Sequence, residues 1–262
     1  MTVRRAMDSC RESLIDAIVE ASHNLSAKGW VANHDGNVTV RFEDTLLATP
    51  TAVSKADMAA DMIITLDREG KKLQGTGNPF SEITLHLAAY RARPDIQAVL
   101  HAHPPIATAR GLAGGDFAVL LPEAVVSIGD SIPVIAQALP GAPENEALVA
   151  DALQRCDLFM MAGNGVLACG RDLKEAFLRM ELLEHLLRID HYGKGMRPFR
   201  TLAAADKAKL LEKRAALGLG PAKAPAPALP ADDGTFHIPA EANEWIKDII
   251  IEELKKILGD KN

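Results

Sequence analysis

Ile96-Gln97-Ala98-Val99-Leu100-His101-Ala102-His103-Pro104-Pro105 runs from an apolar, partly β-branched stretch into two histidines and a proline pair. The apolar run suits a buried strand. On a strand, residues i and i+2 project from the same face, so His101 and His103 point the same way and both imidazoles can reach one point. Pro104-Pro105 ends the strand, because proline cannot donate to a sheet ladder. Upstream, Ser81-Glu82 adds a carboxylate. Two imidazoles and a carboxylate are the residue types that hold a catalytic divalent metal. The spacing alone also fits an ordinary pair of strand-end histidines.

Outward from this segment, Ser81 to Arg93 predicts a helix, with Ile83, Leu87 and Tyr90 at helical spacing on one side. Ser9-x-x-Glu12 reads as a capping box opening a helix that runs to about Ser26. Trp30 to Phe42 reads as a strand, a turn at His34-Asp35-Gly36-Asn37 and a second strand. Short strands follow at Leu46–Thr49 and Met62–Leu66, and further ones at Phe117–Leu121, Ser131–Ile135 and Leu158–Met161. Leu173 to about Ile189 is strongly helical. This order predicts an α/β fold, a central and mainly antiparallel sheet covered by helices.

The chain has 262 residues, 48% of them hydrophobic, and a formal net charge of −6. That length holds one large domain or two small ones. An acidic balance without a basic block argues against nucleic acid. Cys10, Cys156 and Cys169 form no paired spacing, so a disulfide framework is not expected and a reducing cytoplasm is the simplest compartment. The start of the chain carries Arg4 and Arg5 and then a polar amphipathic segment, which does not read as a secretion signal. No apolar run reaches membrane-spanning length, so no membrane partner is expected.

Composition changes near residue 217. Gly218, Gly220, Pro221, Pro225, Pro227 and Pro230 are interspersed with alanines, which predicts an extended linker over 217–238. Residues 239–262 then read as a separate amphipathic helix, with Ile246, Ile249, Ile250, Leu254, Ile257 and Leu258 on one stripe. The domain reading is therefore 1–216, linker 217–238 and helix 239–262. A tethered amphipathic helix suggests docking to a shell or scaffold protein, or self-association. It is similar to the encapsulation peptides that carry enzymes into bacterial microcompartments, and it equally fits a coiled-coil or fusion helix, or one packing back on its own assembly.

Several motifs in order resemble the class II aldolase/adducin family, which includes fuculose-phosphate aldolases and ribulose-phosphate 4-epimerases. They are Gly36-Asn37-Val38-Thr39-Val40-Arg41, Thr49-Pro50, Pro79-Phe80-Ser81-Glu82-x-x-x-His86, His101-Ala102-His103-Pro104, Gly163-Asn164-Gly165-Val166 before Gly170, and Glu175-Ala176-Phe177. The resemblance covers roughly residues 8 to 215. It implies a three-layer α/β/α fold, a homotetramer with active sites between subunits, and a divalent metal, zinc foremost. It further implies His101 and His103 as metal ligands and Glu82 as general acid/base that also touches the metal. Gly36, Asn37, Thr49 and Ser81 would bind substrate, and Tyr192, after the last long helix, would donate a proton. The implied activity is a lyase that cleaves or forms a C–C bond in a small hydroxy-ketone or sugar-phosphate-like substrate. A decarboxylase or epimerase on the same site, or a metal-free adducin-like scaffold, are the alternatives.

Two positions depart from the family pattern. Asn164 stands where a third histidine is usual. An amide oxygen is a hard, neutral donor, so Asn164 or a water would complete the shell with weaker zinc affinity or a preference for Mn2+ or Mg2+. Phe80 stands where phosphate-binding relatives carry serine, so the substrate is either unphosphorylated or held differently. Among other candidates, His86 lies one helical turn beyond Glu82 and reads chiefly as a structural hydrogen-bonder. Glu181 and His185 share a helix face and also read as structural. His34 sits in a turn, and Lys55 and Arg41 either attract an anionic substrate or are simply solvated.

Overall fold

The computed structural model describes residues 2–136, 142, 144–196 and 201–221. Among the described residues ten strands form in chain order: β1 (Asn37–Phe42), β2 (Thr45–Ala48), β3 (Ile64–Leu66), β4 (Lys72–Gln74), β5 (Ala98–Ala102), β6 (Phe117–Ala118), β7 (Ser131–Ile132), β8 (Val134–Ile135), β9 (Leu158–Met161) and β10 (Val166–Gly170). Eight make one sheet in the order β4-β3-β2-β1-β5-β10-β9-β8, while β6 and β7 form a separate ribbon. Every neighbouring pair in the large sheet is antiparallel except β8 with β9.

Strand β5 is the spine. All five of its residues are buried, and it pairs with β1 on one side and β10 on the other. Its alternation divides the core. Ala98, Leu100 and Ala102 pack with α1 (Thr2–Ala27), α3 (Pro105–Ala113) and α6 (Leu173–Gly193). Val99 packs with α2 (Ile83–Ala92) and α5 (Glu144–Arg155) on the opposite face. The result is the expected three-layer α/β/α arrangement. Two further helices, α4 (Pro122–Ile128) and α7 (Ala204–Ala216), pack against each other.

Local chemistry explains the main elements. Asp172 caps α6 by accepting from the Glu175 amide at 2.7 Å, and Glu175 Oε2 accepts from the Arg171 amide at 2.7 Å, a capping-box-like exchange. Helix α1 ends in a Schellman motif. The Gly29 amide reaches Ser26 O at 2.9 Å and the Trp30 amide reaches Leu25 O at 3.0 Å, with Gly29 at φ +66. Pro105 both leaves β5 and opens α3, where its missing N–H is not needed.

Several expected elements differ in extent. Helix α1 begins at Thr2, so Ser9 lies inside it, and its carbonyl accepts from Ser13 Oγ. Residues 28–36 form no strand, because the α1 cap and positive φ at Gly29, Asn33 and Gly36 keep the backbone turning. Met62 closes a 3-10 turn, so that strand starts at Ile64. Pro133 splits the Ser131–Ile135 strand into β7 and β8, which belong to different sheets. The linker from residue 222 onward and the helix read over 239–262 lie outside the described residues.

One buried ionic cluster ties distant segments together. Asp157, fully buried, receives Arg93 at 3.1 Å, Arg179 at 3.2 Å and Arg214 at 2.5 Å. These arginines come from the end of α2, from α6 and from α7. Cys10, Cys156 and Cys169 are all free thiols, and burial raises the Cys156 thiol to about 12. Among the described residues no helix is long and apolar enough to cross a membrane.

Candidate active site

His101 lies at the last paired position of β1 with β5, opposite Asn37, and faces Leu167 of β10 on its other side. Its side chain is fully buried on the α2 face. His101 Nδ1 is 3.0 Å from Val166 O. A carbonyl only accepts, so Nδ1 carries a proton, and Nε2 is the nitrogen that faces away from the sheet, towards Glu82 and His103. His103 Nε2 stands 3.2 Å from that nitrogen, with the two rings at 70°. The His103 amide donates to Trp30 O at 2.8 Å, and His103 Nδ1 is 3.6 Å from Asp35 Oδ2.

Glu82, at the start of α2, completes the cluster. Its Oε2 lies 3.3 Å from His101 Nε2 and accepts from Asn37 Nδ2 at 3.0 Å, while Oε1 accepts from Asn164 Nδ2 at 2.6 Å. Asn164 also hydrogen-bonds His103. Burial by itself would raise the Glu82 carboxyl. The charge of His101 and hydrogen bonds from His101, Asn164 and Asn37 outweigh it and hold the group well below the usual carboxylate range. Every neighbour that reaches the carboxylate favours its charge. Burial works against charge on His101, but Glu82 and Val166 O raise it overall; burial and His101 lower His103.

Two glycines let these parts close. Gly36, at φ +74, would drive a Cβ to 2.6 Å from Val31 Cγ1. A Cβ on Gly165, at φ +70, would collide with the Ala102 carbonyl and the His103 ring. Asn37 Oδ1 is buried and has no hydrogen-bond partner among the described residues.

The donor set fits a divalent metal. Ligands about 2.0–2.1 Å from a tetrahedral ion stand about 3.3 Å apart, close to the 3.2 Å and 3.3 Å separations at His101 Nε2. The second nitrogen of His101 is oriented by a carbonyl, as in metal-binding histidines generally. As the side chains stand, no group of three or more His, Cys, Asp or Glu among the described residues is placed to hold a metal ion, so the fit rests on His101, His103 and Glu82 by donor type and spacing.

The remaining predicted residues lie outside the Glu82–His101–His103–Asn164 cluster itself. Ser81 is exposed in the turn before α2. Thr49 is fully buried, and its hydroxyl accepts from the Val38 amide at 3.1 Å. Tyr192 is exposed near the C-terminal end of α6, its ring 5.8 Å from that of His191. His86 is fully buried, its Nδ1 2.8 Å from Thr39 Oγ1, which is 3.0 Å from Tyr90 OH. Burial and the charge of His101 take its imidazole down to about 3. Phe80 is turned onto His86, ring to ring at 5.1 Å. Glu181 pairs with Lys28 at 2.6 Å, and His185 and His34 are exposed.

Sequence reasoning passed over Asp35 as a partner of His103. It also passed over Glu184, whose carboxylate accepts from the Ile106 and Ala107 amides at 3.2 and 2.9 Å and caps α3 just behind the histidines. Pro105 at a helix start, with free N–H groups behind it, was the available signal for such an acceptor.

Comparisons with known proteins show the family and the fold. The 5-methylthioribulose-1-phosphate/5-deoxyribulose-1-phosphate aldolase of Escherichia coli is 32% identical over 158 residues, 60% of this chain and 74% of that protein. The 3-oxo-tetronate 4-phosphate decarboxylase of Escherichia coli is 29% identical over 205 residues, 76% of this chain and 95% of that protein. The crystal structure of YgbL from Escherichia coli superposes with a TM-score of 0.71 at 27% identity, covering 77% of this chain and 99% of YgbL. Residues 16–191 match the family described as Class II Aldolase and Adducin N-terminal domain, and the chain belongs to that family.

Proposed function

We propose that the chain is a metal-dependent lyase that cleaves or forms a C–C bond in a small hydroxy-ketone or sugar-phosphate-like substrate. The observation that carries this reading is the ionised Glu82, clamped by Asn37 and Asn164 beside two converging imidazole nitrogens. His101 Nε2 and His103 Nε2 would hold the ion, with Glu82 and Asn164 beside it. When bound, a divalent metal supplies a Lewis acid for the oxygens of a carbonyl and its neighbouring hydroxyl, zinc being the first expectation and Mn2+ or Mg2+ suiting Asn164.

The chain's own residues do the rest. Glu82 Oε2 takes the proton from the hydroxyl on the carbon β to the carbonyl. That carbon becomes an aldehyde as the C–C bond breaks, and the bond's electron pair stays with the carbonyl fragment. Glu82 then returns the proton to the α-carbon. Asn37 and Asn164 hold the carboxylate in place throughout. The Gly36-Asn37 backbone and Ser81 would receive the anionic end of the substrate, with Asn37 Oδ1 accepting from a hydroxyl. The phenyl ring of Phe80 is spent on His86 and offers that end no hydroxyl.

Decarboxylation of a 3-oxo acid is the second reading, favoured by the likeness to a decarboxylase over 95% of its length. Assembly as a homotetramer, with Tyr192 acting in a neighbouring site, a cytoplasmic setting and a docking role for residues 239–262 belong to the same proposal.

Elemental analysis beside a His101→Ala/His103→Ala control, followed by ketose 1-phosphate cleavage and 3-oxo acid decarboxylation assays, tests it. We expect about one divalent ion per chain, absent from the control. A chain that stays metal-free after incubation with Zn2+ and Mn2+ would instead be a binding or scaffold protein.

A further inference from the structure

A cavity of about 290 Å³ opens at the end of β1 remote from the candidate active site. Its walls carry three guanidinium groups, Arg41, Arg68 and Arg91, against the single carboxylate of Glu43, over an apolar floor that includes Leu87 and Tyr90. The three arginines come from different elements: β1, the turn after β3, and α2. Arg41 is fixed in place. Its NH2 donates to Tyr90 O at 2.8 Å, and its guanidinium lies over the Tyr90 ring, 4.6 Å from the centroid. Its Nε–H is buried and has no hydrogen-bond partner among the described residues.

Charge at this end is not balanced within the cavity. Arg68 pairs with Asp44 at 2.6 Å and Arg91 with Glu146 at 2.7 Å, and both pairs are more than half exposed. Exposed pairs of this kind hold weakly, so either guanidinium can turn inward to a ligand. Among the described residues Arg41 has no carboxylate within ion-pairing distance, and burial together with the like charge of Arg68 works against its own charge. A fixed guanidinium with a spare buried donor, flanked by two movable ones, is a receptor for a tetrahedral oxyanion. The volume admits inorganic phosphate or a small phosphomonoester.

We propose that this cavity is a second, non-catalytic site that binds a small oxyanion of the phosphate class. Arg41 and Asn37 lie four residues apart on β1, about 13 Å, so the site is separate from the Gly36-Asn37 and Ser81 region. It does not depend on the lyase reading.

Calorimetric titration of the full chain with inorganic phosphate, and separately with glycerol 3-phosphate, tests the assignment. Saturable binding at millimolar phosphate is expected in the wild type and equally in Ser81→Ala. Arg68→Gln/Arg91→Gln, at two exposed positions that leave the core intact, should weaken it about tenfold or more. Arg41→Lys, which keeps the charge and removes the fork, should weaken it as well. Tighter binding of glycerol 3-phosphate would identify a phosphomonoester as the ligand, and tighter binding of inorganic phosphate the free ion. No saturable binding in the wild type, binding unchanged in the double arginine variant, or binding lost in Ser81→Ala would each overturn the proposal.

Discussion

Asn164 Nδ2 lies 2.6 Å from Glu82 Oε1, the carboxylate oxygen opposite the one that faces His101. Asn164 therefore acts on the carboxylate before it acts on any ion. Replacing it with histidine should exchange an orienting amide for a third imidazole. Asn164→His is expected to raise zinc affinity about tenfold or more, read by competition with a chromogenic chelator. Unchanged affinity would mean that the turn at Gly163–Gly165 cannot bring the ring to the ion.

Glu82→Gln keeps the shape of the side chain and removes its basicity. Lyase turnover should fall about 10²–10⁴-fold in a chain that still folds, with a lower melting temperature because the ionised carboxylate stabilises the folded state. Activity that survives the change would remove Glu82 from the proton-transfer role.

Lys55 is buried, with a hydrogen bond from Nζ to Val53 O at 3.1 Å, and burial lowers its amine to about 8 despite Asp35. The sign follows from the two states. The unfolded chain holds the proton up to about 10.4 and the folded chain only to about 8, so protonation favours unfolding. The penalty is full below about pH 8 and disappears as pH rises through the unfolded value. Lys55→Met should therefore stabilise the protein by roughly 2–3 kcal/mol at pH 7, with the gain shrinking towards pH 10.5 in urea melts. A gain that does not depend on pH would mean the amine is solvated.

Asp157→Asn removes the one carboxylate shared by Arg93, Arg179 and Arg214. Three arginines are left facing one another around a neutral amide. We expect a loss of about 3–5 kcal/mol, measured by urea denaturation, and earlier proteolysis around α7, which Arg214 anchors. A loss below about 1 kcal/mol would make the cluster an incidental feature.

How far these features could be read in advance depended on how local their causes are. His101 and His103 were legible because a period of two and a proline stop are properties of neighbouring residues. The same holds for α6, which announces itself through Asp172 and Glu175. Strand β10 was seen only as a glycine motif, since five residues bounded by Gly165 and Gly170 give too little alternation to mark a strand. Lys55 read as a substrate-attracting or a solvated charge, because its burial is imposed by α1 packing over a 3-10 turn far along the chain. Asp157 carried no signal, as its three partners are remote in sequence. Trp30 misled for the opposite reason: a large β-favouring residue was recruited to close α1 and to accept from His103.

The central position of β5 has a kinetic consequence. Asn37 and Glu82 are 45 residues apart, and Glu82 and Asn164 are 82 apart, so the contacts around His101 are almost all non-local. Non-local pairings form late, because loop closure must be met before they are rewarded. During synthesis the histidines, the acid and Asn37 emerge long before β10, yet the acid has no second clamp and His101 no carbonyl to orient it until β10 zips onto β5. The geometry on which the proposed ion binding and proton transfer rest would thus be completed in one late step, together with the closing of the sheet.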